Sequence, residues 1–142
     1  MNIPSTLFLL LLCSPFSLQA GATEVLLDQY QASGAGPFTA EQGAAEWGRT
    51  VIHANNGQTR SCSDCHGEDL TKAGRHTKTG KRIEPMAPSV NSQRLSDPKK
   101  IEKWFKRNCK WTWGRTCTAQ EKGDLLHYLQ TYVRVSTTGD GI

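Results

Sequence analysis

The run Cys62-Ser63-Asp64-Cys65-His66 constrains this chain more than any other feature. On a helical turn Cys62 and Cys65 lie three positions apart on one face, and His66 follows directly. That spacing matches a porphyrin: the two thiols reach its two vinyl groups as thioethers, while the neutral imidazole turns to the iron. A thioredoxin-like dithiol needs a βαβ context, which is missing here. A tetrahedral zinc site needs two further ligands at matching spacing. The motif occurs once, so one covalently bound c-type haem is expected, with His66 as the proximal iron ligand.

The N-terminal segment bears on the redox compartment. Leu7-Phe8-Leu9-Leu10-Leu11-Leu12, then Pro15 and small residues, reads as a secretory signal over 1–22, cleaved after Ala20 or Ala22. It is too short to span a bilayer. A lipoprotein anchor at Cys13 is the competing reading, but Leu12 rather than a small residue precedes it. The signal carries no charged side chain, so the net charge of +4 is that of the mature chain. Four cysteines remain, which suits an oxidising, periplasmic address. The positive charge is scattered rather than interleaved with aromatics, which argues against nucleic acid and favours an acidic protein partner.

Beyond the signal, 23–135 reads as one domain and 136–142 as a polar tail. A short amphipathic piece, 24–31, precedes the turn-rich Ser33-Gly34-Ala35-Gly36-Pro37. Thr39 with Gln42 opens a helix over 40–53 that carries Ala44, Trp47, Val51 and Ile52 on roughly one face. The stretch 70–95 has no apolar period and reads as a long ordered loop crossing the haem. Ser96-Asp97-Pro98 starts a second helix with Ile101, Trp104, Phe105 and Asn108 at helical spacing. Residues 109–117 read as a short basic and aromatic hairpin. Thr118 and Glu121 then cap a final helix whose Leu125, Leu126, Tyr128, Leu129 and Tyr132 face inward.

This order predicts an all-α fold around one covalent haem. Gly43-x-x-x-Trp47 and the 125–132 stretch resemble the first and last helices of class I cytochromes c, which cross at a glycine contact. The interval from Trp47 to Cys62 is longer than usual there, which predicts an extra turn or loop. No proline close behind His66 offers its carbonyl to the imidazole, so that second partner is unassigned.

Function turns on the far side of the iron, where Met86, His76 and Asn91 all lie in the long loop. Residue chemistry alone favours Met86, a soft thioether that holds ferrous iron and suits electron transfer, and then His76. An amide is a weak ligand, and an asparagine after Ser89-Val90 ordinarily caps a turn. His53 and His127 sit on predicted helices and read as surface or core residues.

Four blocks then carry a resemblance: Glu84-Pro85-Met86-Ala87-Pro88-Ser89-Val90-Asn91, Lys100-Ile101-Glu102-Lys103-Trp104-Phe105-Lys106-Arg107-Asn108-Cys109, Gly114-Arg115-Thr116-Cys117-Thr118, and Glu121-Lys122-Gly123-Asp124. Over 39–132 the chain is similar to the sphaeroides haem protein (SHP) family of small monohaem cytochromes. The resemblance implies Asn91 as the distal iron ligand, bound in the ferric state and released on reduction. Dioxygen, nitric oxide or carbon monoxide could then enter, while Met86 remains the alternative ligand. The resemblance also implies a disulfide between Cys109 and Cys117 and a dihaem c-type cytochrome as electron donor.

Lys99, Lys100, Lys103, Lys106, Arg107, Lys110 and Arg115 would present a docking face to that donor, or a merely solvated one. Arg75, Lys78, Lys81 and Arg82 are candidates for the haem propionates. Three functions follow: an electron carrier that also binds a diatomic gas, an ordinary His66 and Met86 electron shuttle, and a dioxygen or nitric oxide reductase. The first, as a monomer with no membrane span after signal removal, is the expectation.

Overall fold

The computed structural model describes residues 21–53 and 56–132. Most of the signal segment and all of the polar tail lie outside these residues. Among the described residues five helices and two small antiparallel hairpins alternate, so the expected helical class is observed.

The first helix, α1 (Ala22–Ala32), buries Thr23, Leu26 and Tyr30 on one face. Leu26 and Tyr30 cluster with Ile101 and Leu126 of later helices. The Tyr30 hydroxyl donates to Glu102, which also accepts from Lys122 Nζ at 2.7 Å, so one carboxylate joins three helices.

Helix α2 (Ala40–Gly48) begins at Thr39, whose hydroxyl accepts the Gln42 amide. It ends five residues before the expected His53. The cause is local: Thr50, Val51 and Ile52 are β-branched, lose rotamer freedom in a helix and favour extended backbone. Val51–Ile52 forms β1, paired antiparallel with β2 (Thr59–Arg60). This hairpin is the extra loop expected between Trp47 and Cys62. Ile52 is accordingly 70% exposed instead of facing a core. His53, expected on a helix, follows β1, and its Nε2 lies 2.9 Å from the Thr112 carbonyl.

The haem-motif turn is α3 (Ser63–His66). The segment after it, expected to hold no element, contains a second hairpin, β3 (Gly74–Arg75) with β4 (Arg82–Ile83). Two residues per strand is too short for an alternating apolar pattern, which is why periodicity does not reveal it.

Helix α4 (Pro98–Trp113) starts where predicted, with Asp97 capping the Lys99 and Lys100 amides and Pro98 in its first turn. It runs through Cys109 to Trp113, which corrects the expected hairpin over 109–117. Nothing in Cys109-Lys110-Trp111-Thr112-Trp113 breaks a helix, and the first residue free to reverse the chain is Gly114, with φ +72°. The inward face is also corrected: Ile101, Cys109, Thr112 and Trp113 are buried and Phe105 half-buried, whereas Trp104 and Asn108 face solvent. The reversal at Gly114 brings Cys117 back to Cys109, and the two form a disulfide with 5.7 Å between their Cα atoms.

The last helix, α5 (Ala119–Thr131), opens on a complete capping box between Thr118 and Glu121. Leu125, Leu126 and Leu129 are buried as expected, with Tyr128 and Tyr132 half-buried. Helix α5 crosses α2 at Gly43. Thr39 N donates to the buried Asp124 carboxylate at 2.8 Å and fixes the start of α2 on α5. The core beneath this crossing gathers Trp47, Leu70, Ala87, Cys109, Trp113, Cys117, Leu125 and Leu129.

Candidate functional site

The turn that carries Cys62, Cys65 and His66 is closed by its neighbours in sequence. Ser61 N donates to Asp64 Oδ2 at 2.8 Å, and Asp64 N donates to Ser61 Oγ at 3.2 Å. This reciprocal pair is the local box written in Ser61-x-x-Asp64, a signal that the sequence carries for the start of this turn. The Cys62 carbonyl accepts from Cys65 N and His66 N. Gly67, with φ +76°, then turns the chain away.

Two distant elements brace this turn. From α2, the Trp47 indole donates to the Gly67 carbonyl at 2.9 Å, and its ring lies 5.3 Å from that of His66. From β3, Gly74 sits so close that a Cβ there would be 2.1 Å from the Cys65 carbonyl oxygen. Neither contact has a sequence signal, because each joins residues far apart in the chain.

Chemically, the turn offers two sulfurs and one imidazole. Cys62 and Cys65 are unbridged and half-buried, in contrast to Cys109 and Cys117. Burial pushes the Cys62 thiol up to about 12, which favours its protonated form. Among the described residues no group of three or more His, Cys, Asp or Glu side chains is placed to hold a metal ion alone. His66 is driven down to about 4, first by burial and then by the charges of Arg94 and His76, so its imidazole is neutral. Its buried Nδ1 has no hydrogen-bond partner among the described residues. Two thiols available for thioether formation, beside an uncharged imidazole with no competing partner, fit a covalently attached haem.

The loop expected to cross the haem is pinned to the core near His66. Met86 N and Ala87 N both donate to the Leu70 carbonyl, at 3.0 and 2.9 Å. Met86 packs half-buried against the core cluster. Asn91 is half-buried, and its Nδ2 donates to the Pro85 carbonyl at 3.1 Å. His76 stands apart from these two, in the β3–β4 hairpin, with Nδ1 accepting from Lys78 N and Thr79 N and its ring 5.7 Å from that of Trp111. Arg75 and Arg82 on that hairpin bind the Gly80 carbonyl and Glu84, and Lys78 and Lys81 are exposed. On the Cys65 side, Thr77 Oγ1 lies 3.6 Å from the sulfur. Thr77 also lines an open cavity of 740 Å³ with Arg60, Asp64, Lys78 and Trp111.

A C-x-x-C-H turn braced by α2, the helix that crosses α5 at a glycine, matches a c-type cytochrome of class I architecture. Comparison with known proteins agrees. A family model described as a domain of unknown function, DUF1924, matches residues 33–129. The cytochrome c-type protein SHP of Cereibacter sphaeroides is 44% identical over 104 residues, which is 73% of this chain and 79% of that protein. The solved structure of oxidised SHP, described as an oxygen-binding cytochrome c, matches with a TM-score of 0.69 at 39% identity, covering 80% of this chain and 100% of that one. A solution structure of cytochrome c'' from Methylophilus methylotrophus, described for its haem-ligand detachment, matches with a TM-score of 0.67 at 30% identity, covering 78% and 93%. The chain belongs to the SHP family of monohaem c-type cytochromes, and its cofactor is one c-type haem.

Proposed function

We propose that this cytochrome transfers electrons and that Asn91 acts as a removable distal ligand, held at the iron in the oxidised protein and released on reduction, so that a diatomic gas can enter. When bound, the haem would supply a one-electron redox centre and an iron able to take dioxygen, nitric oxide or carbon monoxide. Cys62 and Cys65 hold it as thioethers, and neutral His66 provides the proximal nitrogen.

The observation that carries the distal assignment is the bond from Asn91 Nδ2 to the Pro85 carbonyl. With its NH₂ group committed, the amide presents Oδ1 as its donor atom. An amide oxygen is a hard ligand, better matched to ferric than to the more electron-rich ferrous ion, so gaining an electron weakens its hold. The descriptions of the two related structures, one oxygen-binding and one detaching a haem ligand, support the same reading.

Oxidised and reduced spectra of the holoprotein, with and without carbon monoxide, test it. The reduced form is expected to be high-spin and to take up carbon monoxide. Asn91→Ala should abolish the ferric low-spin signal. A low-spin reduced form blind to carbon monoxide, unchanged by Asn91→Ala and lost in Met86→Ala, would instead establish the His66 and Met86 shuttle. Steady-state consumption of dioxygen or nitric oxide would add a reductase activity.

Export through the 1–22 signal, a periplasmic address and a monomeric 23–135 domain belong to the same proposal. Among the described residues no helix is long and apolar enough to cross a membrane. For the electron donor we propose an acidic partner such as a dihaem c-type cytochrome. Lys99, Lys100, Lys103, Lys106, Arg107, Lys110 and Arg115 are all exposed, a field that steers such an encounter.

A further inference from the structure

The distal loop contains a second residue whose bonds converge on those of Asn91. Arg94 is half-buried. Its Nε donates to the Pro85 carbonyl at 2.9 Å and its Nη2 to the Glu84 carbonyl at 2.7 Å. The Pro85 oxygen is the same atom that accepts the Asn91 amide. Arg94 also donates its own backbone N–H to the Asn91 carbonyl at 2.9 Å. The guanidinium therefore ties the carbonyls that precede Met86 to the turn that carries Asn91.

The amide side of this loop is fixed by the Leu70 carbonyl, through Met86 and Ala87. Among the described residues only Arg94 and Asn91 donate to the carbonyls of Glu84 and Pro85. Pro85 and Pro88 lack the N–H that would let the segment join a strand or helix. A planar, permanently charged fork is suited to this task, because it spans two adjacent carbonyls with charge-assisted bonds.

We infer that Arg94 is a positioning residue for the distal ligand: by holding the Pro85 carbonyl in place it sets how firmly the Asn91 amide is held in the oxidised protein, and so how readily it is released. The inference rests on Asn91 being the distal ligand. Arg94 itself touches neither iron nor gas in this scheme.

The test uses purified holoprotein in four forms: wild type, Asn91→Ala, Arg94→Gln and Arg94→Lys. Each is read by ferric absorption and electron paramagnetic resonance, by midpoint potential, and by the carbon monoxide association rate of the reduced form. Losing one charge-assisted clamp should raise the ratio of high-spin to low-spin ferric protein in Arg94→Gln by roughly tenfold. Its potential should rise, because the oxidised state loses ligand stabilisation, while the carbon monoxide association rate of the reduced form, in which Asn91 is already released, should stay near that of the wild type. Arg94→Lys, which keeps the charge but not the fork, should fall between Arg94→Gln and wild type.

An unshifted spin state and potential in Arg94→Gln, while Asn91→Ala turns fully high-spin, would overturn the role of Arg94 and leave the ligand assignment intact. An unshifted Asn91→Ala would overturn both. Should Arg94→Gln fail to fold, Arg94→Lys decides alone, and wild-type values there would reject the inference.

Discussion

The backbone of Gly43 lies against the carbonyl of Asp124 so closely that a Cβ on Gly43 would stand 2.1 Å from that oxygen and 2.5 Å from the Cβ of Tyr128. Both obstacles belong to α5, and the nearer is backbone that cannot swing away. Gly43→Ala would gain about 1 kcal/mol of helix propensity but would force the two helices apart. We expect a net loss of roughly 1 to 3 kcal/mol, read as a lower denaturant midpoint by circular dichroism. Because Trp47 lies one turn further along α2 and braces the haem turn, the same variant should also shift the haem absorption band.

Covalent attachment gives the most direct prediction. Produced in a host competent for c-type cytochrome maturation, the chain should carry one haem that survives denaturation and acid extraction. Cys62→Ala and Cys65→Ala should each retain a single thioether, visible as a shifted pyridine haemochrome band, and the double variant should lose covalent haem. A colourless wild-type product with the bare polypeptide mass would refute the assignment.

The bridge between Cys109 and Cys117 joins the last turns of α4 to the residue before the α5 cap. By loop-closure entropy, replacing both cysteines with serine should cost about 2 to 3 kcal/mol. Thermal unfolding should show the loss, with the haem spectrum at room temperature nearly unchanged if the bridge acts only as a clamp.

Acid should weaken the start of α5 through Glu121. Its carboxyl, hydrogen-bonded by Arg115 above all and also by the Thr118 backbone and Arg49, is held down to about 2 against partial burial. A folded value below the unfolded one stabilises the protein above pH ~4.3, and the gain is lost as pH falls towards 2. Unfolding free energy measured from pH 5 to 2 should therefore decline, and Glu121→Gln should flatten the part of the decline that belongs to this group. A variant as acid-sensitive as the wild type would show that other carboxylates dominate.

The parts of this protein legible in its residues are those that depend on spacing along one turn. The spacing of Cys62, Cys65 and His66 is the basis on which these residues are proposed to hold the haem. The caps at Thr39, Asp97 and Thr118 follow from the unpaired amides at a helix start, and the inward leucines of α5 follow from its 3.6-residue period. Where the structure departs from the expected elements, a local cue is responsible. The β-branched residues after Gly48 end α2, and the absence of a breaker before Gly114 extends α4 through Cys109.

Only the folded chain decided the rest. The Trp47 bond to Gly67, the approach of Gly74 to Cys65 and the docking of Gly43 on Asp124 join different elements, and no periodicity records which pairs will meet. The convergence of Arg94 and Asn91 on the Pro85 carbonyl is shorter in range but equally hidden, because the loop between them follows no repeating backbone pattern. The motif determined on its own that a haem would be bound. The hydrogen bonds that we propose to hold its far side have a geometry that exists only once the loop is packed against Leu70.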